Sequence, residues 1–379
     1  MPFIGGAMLP EKTALIQDWL IGWGGAEQVL LEIAQLFPGA PIYTSLFDAE
    51  HLPAEFQTKQ IYTSFLQQLP GALKRHRLML PLMPLAFELF DLNGYELVIS
   101  SSHACAKGVI PPPGACHLAY IHTPIRYAWD MLPAYFAQAQ PSLLKQLLMH
   151  PLLHYLRQWD LLNNFRIDAM ACNSRFVKQR IWRYYRREAE VIAPPVKIPE
   201  QPPLRDEQDF YLMVSRAVPY KRLDLAIEAF RENGRTLVVV GEGPELSALK
   251  ARPHDRIQFK GHLSRAEIEK LFLSARALIF PGLEDFGIVP VEAQAFGCPV
   301  IAFGQGGVLD SVLPEETGLF FQEQTVQSLN RALEAFEACH FDPLRLYLHA
   351  QAFSEPAFQS KFKAFVAAHY AEFRQKRAL

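Results

Sequence analysis

Two glutamates separated by seven residues, Glu284 and Glu292, bracket the run Glu284-Asp285-Phe286-Gly287-Ile288-Val289-Pro290-Val291-Glu292. The run follows a strand candidate, Ala277–Phe280, and leads into an apparent helix that Gly297 would end. Carboxylates at the C-terminal edge of a strand border the crevice where open α/β sheets hold ligands. At a helix start the backbone N–H groups of Phe286, Gly287 and Ile288 would be free to donate to ligand oxygens. A plainer assignment makes Glu292 a surface helix residue and Glu284 a capping acid, and two isolated glutamates do not choose between the two.

A second cluster, Ser215-Arg216-Ala217-Val218-Pro219-Tyr220-Lys221-Arg222, puts three cations just past another strand candidate. Arginine grips oxygens with its fork and lysine supplies a point charge, so Arg216 and Lys221 suit a diphosphate. An exposed basic turn fits the same residues equally well. Gly241-Glu242-Gly243-Pro244 is a tight strand-to-helix turn in which missing side chains let a ligand approach the backbone. Leu246 stands where a third glycine would complete Gly-x-Gly-x-x-Gly, which argues against a dinucleotide fingerprint. Gly24-Gly25 offers an anion-friendly helix start, though glycine there is often only a cap. His122, in Tyr120-Ile121-His122-Thr123-Pro124, closes a further strand candidate. His150 and His154 flank Pro151 with no third ligand at helical spacing, so no metal site is expected. No Asp-x-Asp occurs anywhere, which disfavours an enzyme that holds a nucleotide diphosphate through such a pair and a divalent cation.

The elements that must position these residues alternate strand and helix, the rhythm of parallel α/β sheets. In the first half, strands are expected at Thr13–Asp18, Leu97–Ser100, Leu118–Ile121 and Ala169–Cys172, with an amphipathic helix at Ala26–Phe37 and another at Arg175–Tyr185 capped from Asn173-Ser174. In the second half they are expected at Leu212–Val214, Thr236–Val240, Ile257–Phe259, Ala277–Phe280 and Val300–Ala302, with a helix at Leu223–Phe230. Five prolines between Pro194 and Pro203 can join neither helix nor central strand and read as a linker between two domains.

The length of 379 residues agrees with two domains. Half the residues are hydrophobic and the formal charge is −2, which excludes wholesale disorder and a globally basic nucleic-acid binder. Five widely spaced cysteines without Cys-x-x-Cys indicate neither a disulfide framework nor a zinc site, and suit a reducing cytoplasm. Met1–Pro10 has no basic n-region, and the longest apolar stretch, Leu78–Phe90, is broken by Pro81, Pro84 and Glu88, so neither signal peptide nor spanning helix is expected. The balanced charge hides an asymmetry: residues 59–187 hold fifteen Lys and Arg against six Asp and Glu. Something anionic could meet that half.

Taken together, Gly24-Gly25-Ala26-Glu27, the His122 loop, Arg216 with Lys221, Gly241-x-Gly243-Pro244 and Glu284-x7-Glu292, in that order, resemble a family 4 retaining glycosyltransferase. Asp91–Ser102, Ile121–Trp129 and Val214–Phe230 resemble more specifically the bacterial branch that adds mannose during surface polysaccharide assembly. The resemblance implies the GT-B fold, α/β, with two facing Rossmann-like domains, parallel sheets and an interdomain cleft. An acceptor-binding domain would span 1–192, a nucleotide-sugar donor-binding domain 208–354, and a helix at 355–374 would cross back onto the first. By the same resemblance Arg216 and Lys221 bind the donor diphosphate and stabilise its departing charge, Glu292 holds the ribose hydroxyls, and Glu284 with the Phe286–Ile288 backbone holds the transferred sugar. His122 would touch the sugar near its reacting face, and the Gly24-Gly25 turn would approach the phosphates.

The implied reaction moves a hexose, mannose from GDP-mannose, to a saccharide acceptor carried on a polyprenyl diphosphate, with neither metal nor cofactor. A UDP-sugar donor remains an alternative, as does a GT-B sugar-nucleotide epimerase. Lys74, Arg75 and Arg77, and the basic face of the helix Arg175–Tyr185, would let such an enzyme sit on an anionic leaflet at the inner face of the cytoplasmic membrane. Against this, the apolar face of that helix could pack on the sheet and leave the arginines merely solvated.

Overall fold

The computed structural model describes residues 9–130, 132, 142–251 and 254–377. Two compact units divide the chain: one runs to Pro195 and resumes at Phe358, and the other spans Val196–Ala357. The division falls inside the proline run.

The first unit is built on seven strands: β1 (Thr13–Gln17), β2 (Ile42–Thr44), β3 (Ile61–Thr63), β4 (Leu97–Ser102), β5 (Cys116–Ile121), β6 (Ala169–Cys172) and β7 (Glu190–Val191). All pairs are parallel, in the order β3-β2-β1-β4-β5-β6-β7. Helices cover both faces of such a sheet, so its strands are buried and mostly apolar; every residue of β1, β4 and β5 is buried. On one face the helix Gly25–Leu36 sets Val29, Leu30 and Ile33 against Leu15, Ile99 and Tyr120. Phe358, Phe362 and Phe365, from the helix Glu355–Arg377, enter the same cluster. Each such buried phenylalanine contributes roughly 1.5–3 kcal/mol.

The helix Arg175–Tyr185 starts where Ser174 Oγ accepts from the Val177 N–H at 3.0 Å. Its Val177, Ile181 and Tyr185 are buried against Ile121, Met170 and Cys172. That apolar face packs on the sheet and is not available to a membrane, a correction to the helix's share in the leaflet reading.

The second unit holds β8 (Tyr211–Val214), β9 (Leu237–Val240), β10 (Ile257–Gly261), β11 (Leu278–Phe280), β12 (Val300–Phe303) and β13 (Gly318–Phe321), parallel throughout in the order β10-β9-β8-β11-β12-β13. The helix Leu223–Asn233 crosses from β8 to β9 and buries Leu223, Ala226, Ile227 and Phe230 on the sheet; Gly234, at φ 70°, ends it. In each unit the strand order reverses once, between β1 and β4 in the first and between β8 and β11 in the second. Crevices that receive ligands in open α/β sheets lie at these reversals, beyond the strands' C-terminal ends.

Candidate functional site

At the reversal in the second unit, β8 delivers the Ser215–Arg222 loop and β11 the Pro281–Gly287 loop side by side. Lys221 Nζ forms an ion pair with Glu284 Oε1, and each side chain is 16% exposed. Both groups are thus largely shielded from water at a strand edge. The Arg216 side chain is exposed on the same loop and has no partner among the described residues. Arg222 does not join them. It turns to Asp224 (Nε–Oδ1 3.1 Å) and Gln324 (Nη1–Oε1 3.4 Å), so the cluster offers a diphosphate two cations and not three.

Glu292 lies on the helix Ile288–Ala295, 22% exposed, with Oε1 3.4 Å from Arg265 Nη1. Burial pushes its carboxyl up; Arg265 opposes this and Glu269 adds to it. Gly287 starts that helix at φ 89°, a left-handed conformation that costs other residues strain. The N–H groups of Phe286, Gly287 and Ile288 have no acceptor among the described residues, so the helix start keeps its donors open.

The neighbouring loops are glycine-rich because their backbones nearly touch. A Cβ on Gly241 would lie 2.0 Å from Ser215 O, one on Gly243 2.4 Å from Ala217 O, and one on Gly307 2.0 Å from Asp285 O. Gly307 also donates its N–H to Glu284 O at 2.8 Å. Gly306-Gly307, after β12, is a support of the Glu284 loop that the sequence reading passed over, although the paired glycines past a strand were a usable signal.

In the first unit, His122 follows β5. Its Nε2 is 2.8 Å from Ser101 Oγ and its ring packs on Tyr120 at 5.0 Å. Burial drives its pKa down to about 3, with His103 and Arg126 acting in the same direction, so the imidazole is neutral at physiological pH. Gly24 is the N-cap of the helix Gly25–Leu36. In the first turn Glu27 is buried, and its pKa is pushed up to about 7 by burial, with Asp18 adding to the rise.

Asp18 was not foreseen. It is fully buried and accepts from the backbone N–H groups of His103 (2.6 Å), Ala104 (2.9 Å), Cys105 (2.5 Å) and Ala106 (2.6 Å), closing the loop after β4 onto the end of β1. These partners lie 85 to 88 residues away, beyond any local pattern. Beside it Gln17 is buried, and neither amide atom has a partner among the described residues. Among the described residues no group of three or more His, Cys, Asp or Glu is arranged to hold a metal ion.

Residues 196–354 match the family of glycosyl transferases group 1. A glycogen synthase of Pseudomonas syringae pv. tomato is 33% identical over 139 residues, 33% of this chain and 29% of that protein. A GDP-mannose-dependent alpha-(1-6)-phosphatidylinositol monomannoside mannosyltransferase of Mycobacterium tuberculosis is 31% identical over 145 residues, 34% of this chain and 38% of its own. The chain thus spans about a third of the length of the curated relatives it matches. Among solved structures, Anabaena HepE in complex with UDP is similar over 94% of this chain and 100% of its own, with a TM-score of 0.68 at 17% identity. A lipopolysaccharide outer core galactosyltransferase is similar over 93% of this chain and 99% of its own, with a TM-score of 0.65 at 15% identity. These likenesses establish the fold, which is GT-B with two Rossmann-like units in one chain. The group 1 segment coincides with the second unit and contains Arg216, Lys221, Glu284 and Glu292.

Proposed function

We propose that the chain is a metal-independent glycosyltransferase that moves a hexose from a nucleotide diphosphate sugar to a saccharide acceptor with retention at the anomeric carbon. The observation that carries this reading is the Lys221–Glu284 pair at the β8/β11 reversal, beside open N–H groups and a free Arg216, inside the segment that matches group 1 glycosyl transferases. As the bond between the anomeric carbon and the phosphate oxygen breaks, its electron pair goes to that oxygen. Lys221, Arg216 and the N–H groups of Phe286–Ile288 neutralise the charge that builds there. An acceptor hydroxyl then attacks the oxocarbenium-like centre from the leaving-group side, and its proton passes to the departing phosphate oxygen.

In this reading Glu284 takes the sugar hydroxyls and Glu292 the ribose. Gly241 and Gly243 admit the donor close to the backbone. His122 contacts the reacting sugar as a neutral hydrogen-bonding group, and Gly24-Gly25 approaches the phosphates.

For the donor we favour GDP-mannose, supported by the branch resemblance and by the GDP-mannose dependence named for the M. tuberculosis relative. A UDP-sugar donor is the second reading, favoured by the complex of HepE with UDP-glucose, similar over 94% of this chain with a TM-score of 0.67. Calorimetric titration with GDP and with UDP separates the two; UDP-glucose turnover without GDP-mannose transfer would overturn the first. Incubation with nucleotide sugar alone tests the epimerase alternative. For the acceptor we favour a polyprenyl-diphosphate-linked saccharide at the cytoplasmic leaflet. No helix among the described residues is long and apolar enough to cross a membrane.

A further inference from the structure

Between the β3 and β4 strands the chain runs through a 3-10 turn, His76–Leu82, directly into the helix Met83–Glu88. Its inner side is ordinary core: Met83, Ala86 and Phe87 are buried with Leu66, Leu92 and Val98. The outer side is not ordinary surface. Leu82 (44% exposed), Leu85 (48%) and Leu89 (64%) stand at steps of three and four residues, one face of the α-helical turns that begin at Leu82, and Leu78 (76%) is exposed on the 3-10 turn just before them. A single exposed leucine needs no explanation, whereas a strip of four marks a surface that meets something apolar.

The charges beside the strip choose the partner. Lys74, Arg75 and Arg77, all exposed, precede it, and none has a carboxylate partner among the described residues. The acid within the stretch is neutralised: Glu88 accepts from Trp159 Nε1 at 2.9 Å and pairs with Arg166 Nη2 at 3.2 Å. Asp91, past the strip, is engaged by Asn93. Unpaired cations at one end of a leucine face suit an anionic bilayer, where leucines enter the acyl boundary and long basic side chains stay with the headgroups. A protein partner would be expected to find aromatic anchors among the exposed apolar residues of the strip, and these are all leucines.

We infer that the strip Leu78-Leu82-Leu85-Leu89, with Lys74, Arg75 and Arg77, is the surface by which this protein docks on an anionic lipid leaflet. The proposal extends the reading of a lipid-linked acceptor, and its test uses vesicle binding without turnover so that the two can fail separately. The full chain is sedimented with vesicles of phosphatidylglycerol and phosphatidylcholine, and with phosphatidylcholine alone. Binding is expected only to the first and should weaken with salt.

Substituting Lys74, Arg75 and Arg77 by Gln should weaken it roughly a hundredfold, about fivefold for each cation. Leu78→Gln with Leu89→Gln, at the two most exposed positions, should weaken it at least about tenfold with the melting temperature unchanged. Absence of binding at low salt would overturn the inference, as would a leucine variant that binds like the parent. A concentration-dependent dimer that the leucine substitutions dissolve, with no vesicle binding, would overturn it in favour of a second copy of the chain.

Discussion

Lys221, on the loop after β8, is ion-paired with Glu284, on the loop after β11, across the point where the strand order of the second unit reverses. In the proposed reading, the cation that would receive the donor diphosphate is already held by a carboxylate, and the diphosphate would have to share it. Lys221→Ala removes the attraction and also leaves Glu284 uncompensated. Binding of the nucleotide diphosphate should weaken by about 1.5–3 kcal/mol, some 10- to 150-fold, read by calorimetry. Adding Glu284→Gln should restore part of that binding but not the turnover, since the sugar contact is then lost. A double variant that binds no better than Lys221→Ala would remove the electrostatic account.

Turnover is expected to persist in EDTA. Lys221, Arg216 and the open helix start supply fixed positive charge where a cation would otherwise be required. Complete loss of activity that added Mg²⁺ or Mn²⁺ restores would contradict this.

Much of this second-unit site was legible because its chemistry is local. Glu284, Lys221, Gly241 and Gly243 each lie on the loop that follows a strand, so a strand pattern and a short motif place them together. The first unit's polar edge was not legible in that way. Asp18 and Gln17 carry no motif, and the backbone that Asp18 binds is 85 to 88 residues distant. Among the elements, Ala169–Cys172 and Arg175–Tyr185 fall where their patterns put them, while β2, β3 and β7, of two or three residues, are too short for any period to declare itself. β13 was missed for a different reason: Gly318-Leu319-Phe320-Phe321 has neither alternation nor a β-branched run. Arg222 reads in the sequence as a third cation, and only its left-handed backbone, φ 55°, and its pairing with Asp224 remove it.

His122 should contribute without titrating. Its folded pKa of about 3 keeps the ring neutral throughout the working range, so the group loses no proton near pH 6.5. His122→Asn should lower the rate by the same factor at pH 5.5 and at pH 8. A pH profile of the parent with a limb near 6.5 that this substitution abolishes would show that the imidazole does ionise during the reaction.

Lys107 and Asp160 form the most deeply buried ion pair of the first unit among the described residues, at 2.8 Å and almost without exposure. Lys107 also donates to Asp160 O and to Asn163 and Asn164 side chains, and Asp160 accepts from Trp129 and Tyr185. Removing one partner leaves a buried charge alone, so Lys107→Ala should cost about 3–5 kcal/mol in urea unfolding. Lys107→Met with Asp160→Asn, which removes both charges, should cost less than Lys107→Ala. Equal losses would mean that packing, and not charge, dominates there.

Glu27 offers a pH-dependent test of the same unit. Its carboxyl titrates near 7 in the folded chain against an ordinary value of 4.5, because burial disfavours the anion and Asp18 repels it. Between those two values the folded state holds a proton that the unfolded state has released. Stability therefore falls as pH rises from about 4.5 to 7, and the full cost of burying the anion is present above pH 7. A shift of this size corresponds to roughly 3 kcal/mol. Glu27→Gln, which keeps the shape and cannot ionise, should raise stability by about that amount at pH 8 and change it little at pH 4.5, in urea unfolding at both values. If the gain is the same at both pH values, Glu27 is not the group that carries the proton. A loss at pH 8 would mean that the anion is stabilised where it sits, with the hydrogen bond from Glu27's own backbone N–H outweighing the cost of burial.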